Sequence, residues 1–168
     1  SPDALIIATG SEPIVPEIPG INRPEVLTAW DVLTEKKEIG KKVAVIGGGA
    51  VGIETAIYIA SKGTISANTL KFLFVHDAED IETLRRLCRE GTKEVTILEM
   101  LPKIGKDIGI TSRWVFLKEL EFLGVKTITG ALVKEIRKGE VIYEKEGKDG
   151  TIPADSVVLA MGATPQTT

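Results

Sequence analysis

The apolar run Val43-Ala44-Val45-Ile46 is followed at once by Gly47-Gly48-Gly49-Ala50-Val51-Gly52. The hexapeptide matches G-x-G-x-x-G at Gly47, Gly49 and Gly52, and a helical pattern opens directly behind it. No other feature constrains the fold as tightly, because it demands a strand, a sharp turn and a helix in immediate succession. Gly47 permits the turn. Gly49 has no side chain, so an anionic group can approach the backbone. Gly52 lets the helix pack closely on the strand. The new helix then presents unpaired N–H groups and the positive end of its dipole. A dinucleotide pyrophosphate is the ligand that suits this arrangement, and the competing account is a turn that is merely tight.

The rest of the chain supplies the setting that the motif needs. Ala4-Leu5-Ile6-Ile7-Ala8, Val95-Thr96-Ile97-Leu98 and Val157-Val158-Leu159-Ala160 are further continuous apolar runs, and residues 125–129 form a weaker one. Such runs suit strands of a parallel sheet covered on both faces. Residues 50–62 and 111–123 carry apolar residues at helical spacing and stop at Gly63 and Gly124. The alternation predicts an α/β, Rossmann-like, doubly wound domain with a central parallel sheet and helices. Residues 130–154 depart from it. They read as a small antiparallel β meander with strands at 132–137, 141–146 and 151–152. Lys138-Gly139 and Lys148-Asp149-Gly150 are the expected turns. Residues 64–91 also depart, with helical stretches at 67–75 and 81–90, the second capped by Asp80.

The glycine fingerprint calls for an acid at the end of the next strand, about 20 residues on. Glu99 has that local setting but lies 47 residues beyond Gly52. Excising 64–91 would join Ser61-Lys62-Gly63 to Thr92-Lys93-Glu94-Val95 and restore an ordinary helix-to-strand step. These 28 residues are therefore read as a helical insertion in the crossover. A carboxylate at Glu99 would accept hydrogen bonds from ribose hydroxyls and repel a 2′-phosphate, which favours NADH over NADPH; Lys103 and Lys106 lie close enough to blur the preference. Glu54, early in the glycine-loop helix, has two accounts: a cofactor contact, or an acid stabilised near a helix N-terminus.

Composition closes off other classes. A net charge of −3 with 27% charged residues gives no basic excess for nucleic-acid binding. No apolar run approaches the roughly 20 residues of a membrane span. Cys88 is the single cysteine, so neither a disulfide relay nor a cysteine metal cluster can form within the chain, and a cytoplasmic setting is expected. His76 reads as structural or surface, Cys88 as a packing residue, and Trp30 and Trp114 as core. No metal ligand set and no catalytic acid or base is expected. The 168 residues suffice for one domain, and the chain opens at Ser1 without methionine, as a domain excised from a larger protein would.

Three landmarks stand in order: Ala8-Thr9-Gly10 after an apolar run, the glycine fingerprint, and Ala160-Met161-Gly162-Ala163-Thr164-Pro165 after another. The order resembles the NAD-binding domain of the pyridine nucleotide-disulfide reductase superfamily. Leu5 to Pro13 and Leu98 to Gly109 narrow the likeness to the C-terminal part of 2-enoate and 2,4-dienoyl-CoA reductases. The resemblance implies residues 1–24 as the end of an FAD-domain segment and linker, and 25–168 as the NAD domain. It implies Gly47, Gly48, Gly49, Ala50, Val51 and Gly52 at the pyrophosphate, and Glu99 with Met100 at the adenosine ribose. Glu54 would lie at the nicotinamide end and Gly162 near the cofactor crevice, with Ala8, Thr9 and Gly10 facing FAD. It further implies NADH for this domain, with FAD, FMN, a [4Fe-4S] cluster and a barrel elsewhere in one polypeptide, and an activated C=C bond as electron acceptor. A homo-oligomer is compatible with it, with 64–91 as a possible interface. Alternatives are the NAD domain of another flavoprotein reductase, a nucleotide-sensing module, and an S-adenosylmethionine-dependent methyltransferase, against which Gly52 and the small-Gly strand ends argue.

Overall fold

The computed structural model describes residues 2–4 and 6–166. Strands β1 (Ser11–Pro13) and β2 (Val26–Thr28) precede a short helix α1 (Ala29–Leu33). Strand β3 (Lys42–Ile46) leads into α2 (Ala50–Ala60), and α3 (Ala67–Val75) and α4 (Ile81–Arg89) follow. Then come β4 (Glu94–Glu99), α5 (Ile110–Phe122) and β5 (Lys126–Thr129). The chain closes with β6 (Leu132–Arg137), β7 (Glu140–Lys145), β8 (Lys148–Pro153), β9 (Ser156–Leu159) and β10 (Ala163–Pro165).

The central sheet has the order β2-β9-β3-β4-β5, and each neighbouring pair is parallel. Side chains alternate across it, as strand geometry requires. Val43, Val45 and Ile97 face one core with Ile53, Ala56 and Ile59 of α2 and Leu120 of α5. Ala44, Ile46, Leu98, Val157 and Leu159 face a second core with Val133, Ile136, Val141 and Ile152 of the meander. Helices thus cover one face and the three-stranded antiparallel sheet β6-β7-β8 covers the other. The Rossmann-like class holds, but the second face is covered by the meander where double winding would place helices.

Three local expectations are corrected. The run Ala4 to Ala8 is no strand: its described residues 4 and 6–8 carry no regular structure, and Leu5 lies outside the described residues. Ile6 is 88% exposed and Ile7 76%. An apolar run becomes a strand only where a neighbour takes its backbone groups, and none of the described strands pairs with it.

The second meander turn falls at Glu146-Gly147, whose φ angles of +53° and +73° are those of a tight hairpin. Lys148-Asp149-Gly150 belongs to β8 instead. Gly150 pairs with Tyr143 across the ladder, and a Cβ there would meet the tyrosine ring at 2.5 Å, so this glycine makes room for an aromatic rather than bending the chain. Trp30 and Trp114 are exposed, not core. Each sits on the outward side of its helix, and the Trp114 indole N–H donates to Thr111 O in its own first turn.

The two helices at 67–75 and 81–89 form with polar N-caps: Ser66 accepts from Thr69 N and Asp80 from Thr83 N. They leave and rejoin the domain at one point. The Thr92 amide donates to Lys62 O at 2.7 Å, and a Cβ on Gly63 would lie 2.5 Å from the Thr92 methyl. His76 is exposed at the end of α3, and Cys88 is half-buried on α4.

Candidate functional site

Strands β9, β3 and β4 point the same way, so their C-terminal ends lie side by side at one edge of the sheet. In open α/β sheets this is where ligands bind. The chain turns there under tight constraint. Gly47 N donates to Leu98 O at 2.9 Å, Ala160 N donates to Ile46 O at 2.8 Å, and Gly47 takes φ +110°. A Cβ on Gly47 would stand 2.3 Å from Ala160 O, and one on Gly52 would stand 2.0 Å from Gly47 O. Both roles assigned to these glycines, sharp turn and close helix approach, are visible as space that no side chain could share.

Above these strand ends opens a cavity of about 330 Å³. Gly47, Gly49, Ala50 and Val51 line it together with Glu99, Met100 and Gly162; Ala131, Leu132 and Val133 of the meander side close it over. Its volume is at the low end of the roughly 300–1,000 Å³ usual for small-molecule sites. It can enclose part of a dinucleotide, with the remainder along the open surface.

The fit to such a ligand can be examined group by group. Helix α2 makes its first internal bond from Ile53 N to Gly49 O, so the N–H groups of residues 49–52 have no partner within the helix. Gly49 caps the helix through backbone alone, with no side chain in the way. Glu99 ends β4 beside this loop: one carboxylate oxygen accepts Gly48 N at 2.5 Å and the other accepts Leu101 N at 2.7 Å. A carboxylate offers about four acceptor positions. Two remain for the hydroxyls of a ribose. The backbone cradle and the acid therefore suit a dinucleotide.

Glu54 is not among the cavity-lining residues. It is the fifth residue of α2 and exposed, beyond the first turn where the helix dipole would favour an acid. Ala8, Thr9 and Gly10 also lie elsewhere. They run alongside the antiparallel ribbon of β1 and β10, where Gln166 N donates to Gly10 O and the Thr9 hydroxyl donates to Gln166 O. Gly162 connects the two places, since its carbonyl accepts Ile14 N at 3.0 Å while it lines the cavity.

Asp107 also lines the cavity, although the sequence reading gives it no role of its own. Asp107, in the loop between β4 and α5, accepts the Ala50 amide with both oxygens, at 3.0 and 2.9 Å. It does not cap α5, whose N-cap is Gly109 without a side-chain bond. Arg113 holds the loop from beneath by donating to Ile104 O at 2.7 Å. Among the described residues no group of three or more His, Cys, Asp or Glu could hold a metal ion, and no helix is long and apolar enough to cross a membrane.

A parallel sheet, a glycine-rich strand-to-helix turn and an acid at the next strand end define a Rossmann-type dinucleotide-binding domain. The chain belongs to the pyridine nucleotide-disulphide oxidoreductase family, whose model matches residues 1–168. That family unites oxidoreductases that use NAD(P)H and FAD. The chain is 42% identical over 162 residues to a metal reductase of Desulforamulus reducens, covering 96% of this chain and 24% of that protein. It is 39% identical over 170 residues to an NADH oxidase of Thermoanaerobacter brockii, covering 98% and 22%. Among solved structures, a 2-naphthoyl-CoA reductase in complex with 2-naphthoyl-CoA superposes with a TM-score of 0.71 at 31% identity, over 93% of this chain and 19% of that one. The chain thus spans less than a quarter of the length of these relatives.

Proposed function

We propose that this chain is the NADH-binding domain of a multi-cofactor flavoprotein that passes hydride from NADH to FAD and reduces an activated C=C bond. The observation that carries the first half is the convergence of Gly47, Gly49, Ala50, Val51 and Glu99 on one cavity. Bound NADH would supply the hydride. The chain's own residues hold and orient it: backbone N–H groups at the start of α2 take the pyrophosphate, and the free lone pairs of Glu99 take the adenosine ribose. Met100 and Gly162 shape the walls. Residues 1–24 then belong to the join with an FAD domain, and residues 64–91 are an insertion into the NAD domain 25–168. None of these residues acts as acid or base, since the redox chemistry belongs to the cofactors.

Support for an unsaturated acceptor comes from the resemblance of residues 5–13 and 98–109 to 2-enoate and 2,4-dienoyl-CoA reductases. The likeness to a 2-naphthoyl-CoA reductase adds an unsaturated thioester substrate in a related protein. FMN, a [4Fe-4S] cluster and a barrel would lie in other parts of the polypeptide, in the cytoplasm.

Calorimetric titration of the chain with NADH and with NADPH tests the nucleotide half. Tighter NADH binding is expected, and Glu99→Gln should weaken it by about tenfold, the loss of hydrogen bonds to a charged group. Preference for NADPH would overturn the role given to Glu99. Assay of the full-length protein with NADH and a 2-enoate or dienoyl-CoA tests the second half, and NADH consumption without reduction of either would reject it.

A further inference from the structure

Asp107 has no part in the function just described, yet it holds the position that matters most to an incoming phosphate. Both of its oxygens accept the Ala50 amide, at 3.0 and 2.9 Å. Oδ2 also lies 3.0 Å from where a Cβ on Gly49 would stand. The room left by the missing Gly49 side chain, and one of the four free N–H groups of α2, are thus held by an acid of the same chain. The 11-residue helix directs a positive dipole end at that acid.

The loop that delivers Asp107 is anchored at the residues before it, and Ile108 directly after it packs against the core. Gly105 N donates to Gly48 O at 2.6 Å, and Arg113 donates to Ile104 O at 2.7 Å. Asp107 itself is exposed, and residues 106–108 lie between Gly105, at φ +66°, and Gly109. Glu99 holds Gly48 N on the same turn. The glycine loop therefore meets two carboxylates, one at the strand end and one at the helix end.

We propose that Asp107 is a specificity-determining residue, a resident anion in the phosphate seat that a dinucleotide must displace. The proposal rests on the NADH assignment above. A pyrophosphate and a carboxylate of like sign cannot share the Ala50 amide without repulsion. Displacing Asp107 gives up charge-assisted hydrogen bonds. A ligand held by its phosphates alone has nothing to offset that loss, whereas a dinucleotide also has its adenosine ribose on Glu99. Asp107 thereby keeps free pyrophosphate out and selects whole dinucleotides, a contact built against the wrong ligand.

The test is calorimetric titration of the wild-type chain, Asp107→Asn and Asp107→Ala with NADH and, separately, with inorganic pyrophosphate. Asparagine retains an acceptor for Ala50 N and loses the charge. Both variants should bind NADH about tenfold tighter, as expected for relief of one charged hydrogen-bonding contact. Pyrophosphate binding should become measurable in both, with Asp107→Asn melting as the wild type does. Unchanged or weaker NADH binding by Asp107→Asn overturns the proposal. So does a purely structural pattern, in which Asp107→Ala loses melting temperature and affinity together and Asp107→Asn restores both to wild-type values. If pyrophosphate binding rises in Asp107→Asn while no form binds NADH, the seat is upheld and the NADH assignment falls.

Discussion

Helix α2 and helix α3 of the α3–α4 pair are both rich in apolar residues and are embedded in opposite ways. Six of the 11 residues of α2 are buried, Ile53, Ala56 and Ile59 completely. None of the nine described residues of α3 is buried, and α4 buries only Leu84. Phe72, Phe74 and Val75 of α3 are all exposed. Helix α2 is part of the domain's folding unit, locked between β3 and the glycine loop. The α3–α4 pair is held by its own caps and by an apolar groove that Phe122 of α5 also lines, and it joins the domain where Lys62 meets Thr92. Helices α2 and α3 are alike in apolar content; what differs is whether a sheet lies underneath. Stability should follow the sheet.

The sharpest way to break this contrast is at the glycine loop. Gly52→Val puts a Cβ against Gly47 O, a backbone atom that cannot move aside without displacing β3. A loss of about 4 kcal/mol or more is expected, in the exceptional range for one substitution; a urea melt close to wild type would sink the close-packing role. Next, Ile53→Ala should cost about 2–5 kcal/mol as a buried large-to-small change, while Phe72→Ala should stay within about 0.5 kcal/mol as a surface one. Equal costs would erase the distinction between the two helical regions. Deleting residues 64–91 and joining Gly63 to Thr92 should leave a cooperative melt and unaltered NADH affinity. Loss of cooperative unfolding would show the pair to be part of the core after all.

The smallest effect is one of pH. Asp31 completes a capping box with Thr28, and the Thr28 backbone N–H holds its carboxyl below the ordinary value of 3.8. Asp80 is lowered too, chiefly by the Thr83 backbone N–H. A depressed carboxyl contributes stability above its unfolded pKa and loses it as pH falls through the folded one. Both contributions should therefore be complete at neutral pH and disappear on acidification from about pH 4 downward. Asp31 lies in the helix packed on the sheet, so Asp31→Asn should flatten this acid limb in global urea melts. Asp80→Asn should alter only amide exchange within α4. A shift of the global midpoint by Asp80→Asn would contradict the separation of the two regions.

The features legible in the sequence were those whose cause is local. The β3–Gly47–α2 passage declares itself because the turn and the helix packing are each carried by a glycine within six residues. Strands β4 and β9 show as continuous apolar runs because both their faces are buried. Strand β2 and helix α1 leave no mark in the sequence: three and five residues carry too little pattern, and β2 exists because β9 takes its backbone groups. The run at residues 4–8 misled for the converse reason, having the composition of a strand and no described partner. Asp107 was invisible because its partner is 57 residues away, and nothing around it marks an acid that reaches back to the start of α2. Glu99 is legible because it ends the apolar run that follows the glycine-loop helix once 64–91 is set aside, whereas its bond to Gly48 N leaves no trace in the sequence.

The place of β9 has a consequence for how the chain comes to be folded at all. Residues 156–159 pair with residues 43–46 on one side and 26–28 on the other. The centre of the sheet is thus closed by the strand that comes last of its five in chain order. Until it leaves the ribosome, β3 has an open edge, and Val43, Val45 and Val158 have no common layer. Pairings this distant in sequence slow folding and prolong the time in which apolar edges stand open. The nascent domain would then be most vulnerable to aggregation before residue 156, and its synthesis should be the stage at which a chaperone helps it most.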